Sequence, residues 1–339
     1  MINELDYYYK KRPVSGVQDF IKYLYQKRFG PAHFINVDYD VIHDFFMKEI
    51  QNLNPVAYHE DLYDYAGDVF ARVNLRPYQA LGFDLRALFE RFIASSEAQA
   101  NHEIFYADLN ILYSYLLGKK FAKEKIDEKY SLAKKPGFMS FHHSEQYRNA
   151  YLPAYRLIKR EFISKDIRYA QFINYLSSFS PEKPAIIAVE GRNENMITEF
   201  CAKAAEDLPI TVISCDHFRD VDNENEFGIN SERLKAEALS KLKPGKNLLY
   251  RKYNRRNREY SQVKIEKTKP LVLVVGIFSA NPNLADRYDA VIYIDDGKDF
   301  REQKTMISPD EREYRELWLS RLDKYYRKYN IMFGSDLIV

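Results

Sequence analysis

Cysteine, glycine and tryptophan are scarce in this chain of 339 residues, at 2, 12 and 1 respectively. Cys201 and Cys215 are too few for a disulfide framework or a cysteine-based zinc site. One falls on a helical run and the other ends an apolar strand, so buried structural thiols are expected. No apolar run approaches the roughly 20 residues of a membrane span. Met1–Arg12 is polar and aromatic, without the apolar core of a secretory signal. A soluble, cytoplasmic protein is therefore expected. Neither sign of charge prevails: 51 Lys and Arg against 49 Asp and Glu leave +2, which gives no global pull toward nucleic acid or anionic membrane. The seven His include no helix-spaced zinc pair, and nothing signals haem.

What is present is apolar and aromatic. A hydrophobic share of 46% is ample for real cores. The 28 Tyr and 22 Phe point to aromatic-rich cores, and Tyr clusters can also line binding grooves. The length exceeds that of most single domains, so two are expected.

Residues 1 to about 165 read as an all-α domain. Ser15-Gly16-Val17-Gln18 is a capping-box pattern. It opens a helix with Phe20, Leu24 and Tyr25 on one face, which Gly30-Pro31 closes. Asp38–Leu53 repeats the signal with Val41, Ile42, Phe45, Phe46 and Ile50. Tyr58–Val73 reads as a third helix, Asp84–Ser95 as a fourth capped by Asp84, and Asn101–Leu117 as a fifth. A further helix over Tyr147–Leu176 bridges toward the second half. Ser177-Ser178-Phe179-Ser180-Pro181-Glu182-Lys183-Pro184 has linker chemistry, which puts the junction near Phe162–Pro184. Six His fall in this half: His33, His43, His59, His102, His142 and His143. Phe141-His142-His143-Ser144-Glu145-Gln146-Tyr147-Arg148 gathers forked donors and adjustable polar tips, as an anion pocket would. A helix cap with long amphipathic side chains accounts for the same residues.

The second half opens on a stretch that reads either as a phosphate-binding loop without its lysine or as an ordinary strand–turn–helix with no phosphate site. Ala185–Gly191 reads as a buried strand ending in a tight turn. Arg192-Asn193-Glu194-Asn195-Met196-Ile197-Thr198 follows, then a helical run, Glu199–Glu206. The frame is that of G-x-x-x-x-G-K-[ST]. Gly191 and Thr198 stand in place, Met196 replaces the second Gly, and Ile197 replaces the Lys. In a working loop, backbone N–H groups and the helix N-terminus hold phosphates, the Lys reaches the β- and γ-phosphates, and Ser/Thr binds Mg²⁺. Ile197 offers neither charge nor donor, and Glu194 adds negative charge. Arg192 is the one cation in the loop.

The motifs beyond it form a series. Strand Ile210–Cys215 runs into Asp216-His217-Phe218. Asn230-Ser231-Glu232-Arg233-Leu234 opens a helix that ends near Lys243–Lys246. Tyr250-Arg251-Lys252-Tyr253-Asn254 follows, then strand Leu271–Phe278, then Leu284–Ile294. In this order, from about Pro181 to Val339, the chain resembles the bacterial uridine kinase-like branch of the P-loop nucleoside kinases. The resemblance implies a P-loop α/β domain over 181–339 with a mostly parallel sheet, strands near 185–190, 210–215, 271–276 and 290–294, and a site at their carboxyl ends. It implies Asp216 as the catalytic carboxylate. Gly191, Arg192, Asn193, Glu194, Asn195, Thr198 and Arg301 would face the nucleotide. His217, Phe218, Tyr250, Arg251 and Tyr253 would line the substrate wall, with ATP and Mg²⁺ as cofactors. Asn254 stands where the family has Asp, and Val275 where it has Glu. The arginine-bearing lid is reduced to Phe300–Thr305. The whole arrangement also resembles kinase-like proteins of Gram-positive bacteria that carry a helical domain with a Gly-Pro-x-His element, here Gly30-Pro31-Ala32-His33, and a His-Ser-Glu-x-Tyr-Arg element.

Three functional readings follow. The first is a degenerate kinase-like domain, in effect a pseudokinase, that binds a nucleotide or nucleoside with weak or no phosphoryl transfer. The second is an active small-molecule kinase that uses Arg192 or Arg301 in place of the Lys. The third places the function in the helical domain, around His33, His143, Glu145 and Arg148. The basic and aromatic stretch Lys246–Lys269 could bind single strands, but a solvated hairpin explains it more simply. The tail Pro309–Asn330 reads as an amphipathic helix, with Tyr314, Trp318, Leu322 and Tyr325 facing a core or a homodimer contact.

Overall fold

The structure, a computed structural model, describes residues 1–31, 38–53, 61–96, 102–180, 182–219, 228–254, 257–295 and 320–339. The chain divides into two compact units, Met1–Gln171 and Phe172–Val339.

The first unit contains helices α1 (Ile2–Lys11), α2 (Val17–Phe29), α3 (Tyr39–Gln51), α4 (Leu75–Ala80), α5 (Leu85–Ser95), α6 (His102–Gly118), α7 (Lys123–Ala133) and α8 (Glu145–Tyr151). Helix α9 (Lys165–Leu176) carries the chain into the second unit. Between these lie strands β1 (Tyr63–Ala66), β2 (Phe70–Asn74) and β3 (Tyr155–Lys159), paired antiparallel in that order. The core is built around α2, whose Phe20, Ile21, Leu24 and Phe29 are buried against Phe105, Leu109, Leu112 and Leu116 of α6. Rings set much of its packing: Tyr8 stacks on Tyr23 at 4.4 Å and meets Phe20 edge-on at 5.2 Å. The aromatic abundance of the sequence is spent here.

The helix starts are legible in their caps. Asp84 accepts from the N–H groups of Arg86 and Ala87, while at α2 the expected Ser15–Gln18 box moves on by one residue: Gly16 is the N-cap and Asp19 accepts from Gly16 N–H. Two expected helices are absent. Tyr58–Val73 is instead the hairpin β1–β2 from residue 61 onward, its residues 58–60 lying outside the described ones. Aromatic and β-branched side chains favour a pleated surface, and Gly67 at φ +78° turns the chain where a helix would need φ near −63°. The expected Tyr147–Leu176 helix is broken into α8, β3 and α9. Pro153 disfavours helical backbone at the residue before it, and Leu152 takes φ +43°.

The second unit contains β4 (Ala185–Gly191), α10 (Glu194–Asp207), β5 (Ile210–Ser214), α11 (Ser231–Glu237), β6 (Leu248–Asn254), β7 (Glu259–Ile265), β8 (Leu271–Val275), β9 (Ala290–Ile294) and β10 (Leu337–Ile338). Five of these strands form one sheet in the order β10-β9-β4-β8-β5, with every neighbour parallel. Parallel neighbours require crossovers; α10 supplies the one from β4 to β5, with Ile197, Phe200, Cys201 and Ala204 buried. Strands β6 and β7 form a separate hairpin whose charged side chains are largely exposed. Both cysteines are buried, and burial pushes each thiol's pKa up. No helix among the described residues is long and apolar enough to cross a membrane.

Gly67 offers a test of the hairpin. A Cβ there would lie 2.4 Å from Cγ of Lys27, whose ammonium is bound to the buried Glu4. Gly82, at φ +73°, has open space around it. Gly67→Ala is expected to destabilise the protein by about 2–4 kcal/mol and Gly82→Ala by only about 1 kcal/mol, by urea unfolding. Equal losses would mean that backbone strain, not the Lys27 contact, sets the cost.

Candidate functional site

The carboxyl ends of β4, β5, β8 and β9 lie side by side, with Gly191 opposite Ile294, and Val189 and Ser214 in register with Val275 through neighbouring pairs. This is where an open parallel sheet presents its crevice. The loop at the end of β4 differs from the expected one. Only Arg192 and Asn193 lie between strand and helix, because α10 begins at Glu194. Glu194 through Thr198 are helix, not loop. Asn193 caps it, its Oδ1 accepting from Met196 N–H at 3.1 Å. Ile197 is buried in the core, and the exposed Thr198 donates its hydroxyl proton back to Glu194 O at 2.9 Å. Asn195 is exposed on the helix surface. Gly191 has a structural reason of its own: a Cβ there would meet Ile294 O at 2.3 Å, so it permits the close approach of β4 and β9.

The charged residues of this region are held by one another. Arg192 donates to Asp323 at 2.7 Å and lies over the Tyr326 ring at 4.7 Å. Both partners belong to helical residues 320–329. Asp216, in the helical turn Cys215–Phe218 after β5, pairs with Arg219 at 2.6 Å. Arg219 also reaches Glu194 at 3.2 Å, so the end of β5 is tied to the first turn of α10. The expected Arg301 lies outside the described residues, as do His33, Tyr314 and Trp318.

The substrate-wall residues form a second group. His217 Nδ1 lies 2.9 Å from Tyr250 Oη, and Phe218 stacks on the Tyr250 ring at 5.3 Å. Arg233 donates to His217 O and to Arg251 O, each at 2.6 Å, and covers Phe218 at 4.6 Å. The hairpin is thereby clamped to the segment after β5. Phe218, Tyr250 and Tyr253 are buried, so they shape the wall from behind. His217, Arg251 and the added Tyr260 are the more open members. Burial, helped by Lys252, pushes His217 down to about 4, so its imidazole is neutral at pH 7.

The site's central residue was not among the sequence candidates. Glu190, the penultimate residue of β4, is fully buried. Its Oε1 accepts from Phe278 N–H at 2.8 Å and from Tyr326 at 2.8 Å. Its Oε2 accepts from Ala280 N–H at 2.8 Å and from Tyr325 at 3.0 Å. The two amides belong to the turn that leaves β8, where Phe278 takes φ +70°, and successive N–H groups in such a turn form an anion-holding concavity. Burial pushes Glu190 up to about 7, offset by the two backbone N–H groups and the two hydroxyls. The only hint in the sequence is an acidic residue at the buried end of an otherwise apolar strand. Leu322 and Tyr325 are buried, as the tail helix pattern predicts.

In the first unit, His143 is buried between Asp19 and Tyr155. Glu145 and Arg148 are exposed on α8 and do not join it.

No protein-family model and no curated protein matches the chain. Solved structures do. A protein named as a possible uridine kinase from Bacillus stearothermophilus is similar at 14% identity over 50% of this chain and 96% of its own, with a TM-score of 0.41. A protein provisionally named a fructose transport system kinase from Silicibacter sp. TM1040 is similar at 15% identity over 51% and 98%, with a TM-score of 0.33.

Glu190 also sets a pH dependence. Its folded value of about 7 lies above the ordinary 4.5, so the native state holds that proton more tightly than the unfolded chain. The resulting stability is complete below about pH 4.5 and lost as pH rises through about 7, a change of about 3 kcal/mol. His217, depressed to about 4, acts in the opposite sense, losing stability as pH falls from 6.5. The difference between wild type and Glu190→Gln isolates the carboxyl. Urea titrations read by circular dichroism should show the extra loss between pH 5 and 7.5 in wild type alone; parallel pH profiles would refute it.

Proposed function

We propose that the second unit is a kinase-like unit that binds a nucleoside-class small molecule without transferring a phosphoryl group. One observation carries this reading: the positions that would receive a nucleotide's phosphates are satisfied by the chain's own groups. The N-terminus of α10 is capped by Asn193 and bears the Glu194 carboxylate, and negative charge there offsets the helix dipole as a phosphate would. The loop's cation, Arg192, is taken up by Asp323 and Tyr326. The residues that would hold Mg²⁺·ATP do not fit it. Thr198 directs its hydroxyl into its own helix, and Asp216 is paired with Arg219. Losing one charge-stabilising group typically costs roughly 10²–10³ in rate, and here the Lys, the loop and the free carboxylate are all lost to the reaction.

The nucleoside side of the crevice keeps usable chemistry. A neutral His217 held by Tyr250 offers a fixed hydrogen-bonding edge, beside Arg251, which pairs with Glu237 and lies over the Tyr260 ring. These are the groups that read a base or sugar rather than a triphosphate.

Thermal unfolding of the full chain tests the reading. Uridine or cytidine at about 100 times its Kd should stabilise the second unit by about 2.7 kcal/mol, while Mg²⁺·ATP should leave its midpoint unchanged. Tyr250→Phe, which frees His217, should weaken nucleoside binding. Robust ATP turnover that disappears in Asp216→Ala would sink the proposal, and turnover abolished by Arg192→Ala would establish the rewired kinase in its place.

A further inference from the structure

The first unit contains a cavity of about 460 Å³, within the usual range for small-molecule sites. Among the described residues its walls are mainly apolar, with Ile42 and Phe45 of α3, Phe92 of α5 and Leu157 of β3. Phe45 is 68% exposed and Phe92 2%, so one ring stands at the mouth and the other at depth. Exposing a phenyl ring to water is costly unless something covers it.

The polar lining residues are Lys22, Gln26, Glu49, Tyr155 and Arg156. Arg156 and Glu49 pair with each other and leave no net charge. Lys22 has no carboxylate partner among the described residues; its ammonium donates only to Phe141 O at 2.9 Å. An ammonium has three donors to place, and among the described residues Lys22 places one. Burial, together with Arg72, lowers its pKa, and the nearby Asp19 carboxylate offsets part of that shift.

The floor beside Lys22 is held rigid. Although burial pushes the Asp19 carboxyl up, hydrogen bonds from His143 and Ser144 hold it below its ordinary value, so it is ionised. It accepts from His143 Nδ1 at 2.9 Å and from Ser144 N–H and Oγ at 2.9 and 2.6 Å. A neutral His143 with its proton on Nδ1 must accept at Nε2, and its partner there is the Tyr155 hydroxyl at 2.7 Å. Gln26 Nε2 then donates to the same Tyr155 oxygen at 2.7 Å. Every proton in the chain has one place, and His143 is further pinned by stacking on Tyr147 at 3.9 Å. The Tyr155 ring is thus a pre-set surface, and ordering it costs a ligand nothing further.

We propose that this cavity binds a small amphipathic carboxylate, an aryl or alkyl acid whose carboxylate meets Lys22 and whose apolar body lies against Phe45, Phe92 and Leu157. This is independent of the second unit.

Calorimetry on the full chain tests it, with 4-phenylbutyrate and octanoate as probes and 4-phenylbutanol as the neutral counterpart. The acids should bind roughly 10–100-fold more tightly than the alcohol, as a charged hydrogen bond implies. Lys22→Met should bring the acids to the level of the alcohol and leave the alcohol unchanged. Phe45→Asp, at an exposed position, should weaken all three without unfolding the protein, checked by circular dichroism. Equal binding of acid and alcohol, acid binding untouched by Lys22→Met, or no binding of either acid to folded protein would each overturn the proposal.

Discussion

The second unit is organised around one buried carboxylate. Glu190 joins three stretches that are distant in sequence: the end of β4, the turn after β8, and helical residues 320–329. A carboxylate taken from water must find donors or a proton, since burying it bare costs many kcal/mol. Two backbone amides and two tyrosines meet that demand, and in doing so they fix the strand ends, a left-handed turn at Phe278 and the seating of the C-terminal helix. The same demand explains why the tyrosines are Tyr and not Phe. Their rings pack in the apolar layer, with Tyr325 against Phe278 at 4.8 Å, while their hydroxyls face the charge.

A common logic runs through the crevice. Features that elsewhere receive a bound anion are here answered from within the chain. The turn after β8 holds Glu190, the start of α10 bears Glu194, and Arg192 holds Asp323. The Arg192–Asp323 pairing is modest alone, because partly exposed ion pairs contribute little. On the reading proposed above, the three features together weaken the electrostatic pull on a triphosphate, since a ligand phosphate must displace an anion already held at close range.

Much of this fold was legible in the sequence, because its signals are local. The apolar runs at 185–191, 210–214, 271–275 and 290–294 are strands, and Asp84 caps the helix it was expected to cap. The misreadings are also physical. Over Tyr63–Val73 the apolar spacing fits a helix or a strand, and a single glycine at φ +78° decides between them. The loop frame counted Gly191 and Thr198 as phosphate residues. Gly191 is fixed instead by its approach to Ile294, and Thr198 by a helix that starts early. Glu190 could not be singled out, since the groups that bind it lie 88 to 136 positions away.

The first unit shows how a cap can become more than a cap. Asp19 stands one residue beyond the expected Ser15–Gln18 box, because Gly16 is the N-cap of α2, and it accepts from Gly16 N–H at 2.9 Å. One carboxylate has more lone pairs than a cap requires. The remainder hold Ser144 and His143, about 125 positions later, and through His143 the Tyr155 hydroxyl. The His143–Ser144 segment and strand β3 are thereby registered against α2 by hydrogen bonds rather than by apolar contact alone. Such a network tolerates little adjustment, because each donor has one acceptor and a missing member leaves a buried group unsatisfied. The Tyr155 and Gln26 members of that network line the cavity that Lys22 also borders.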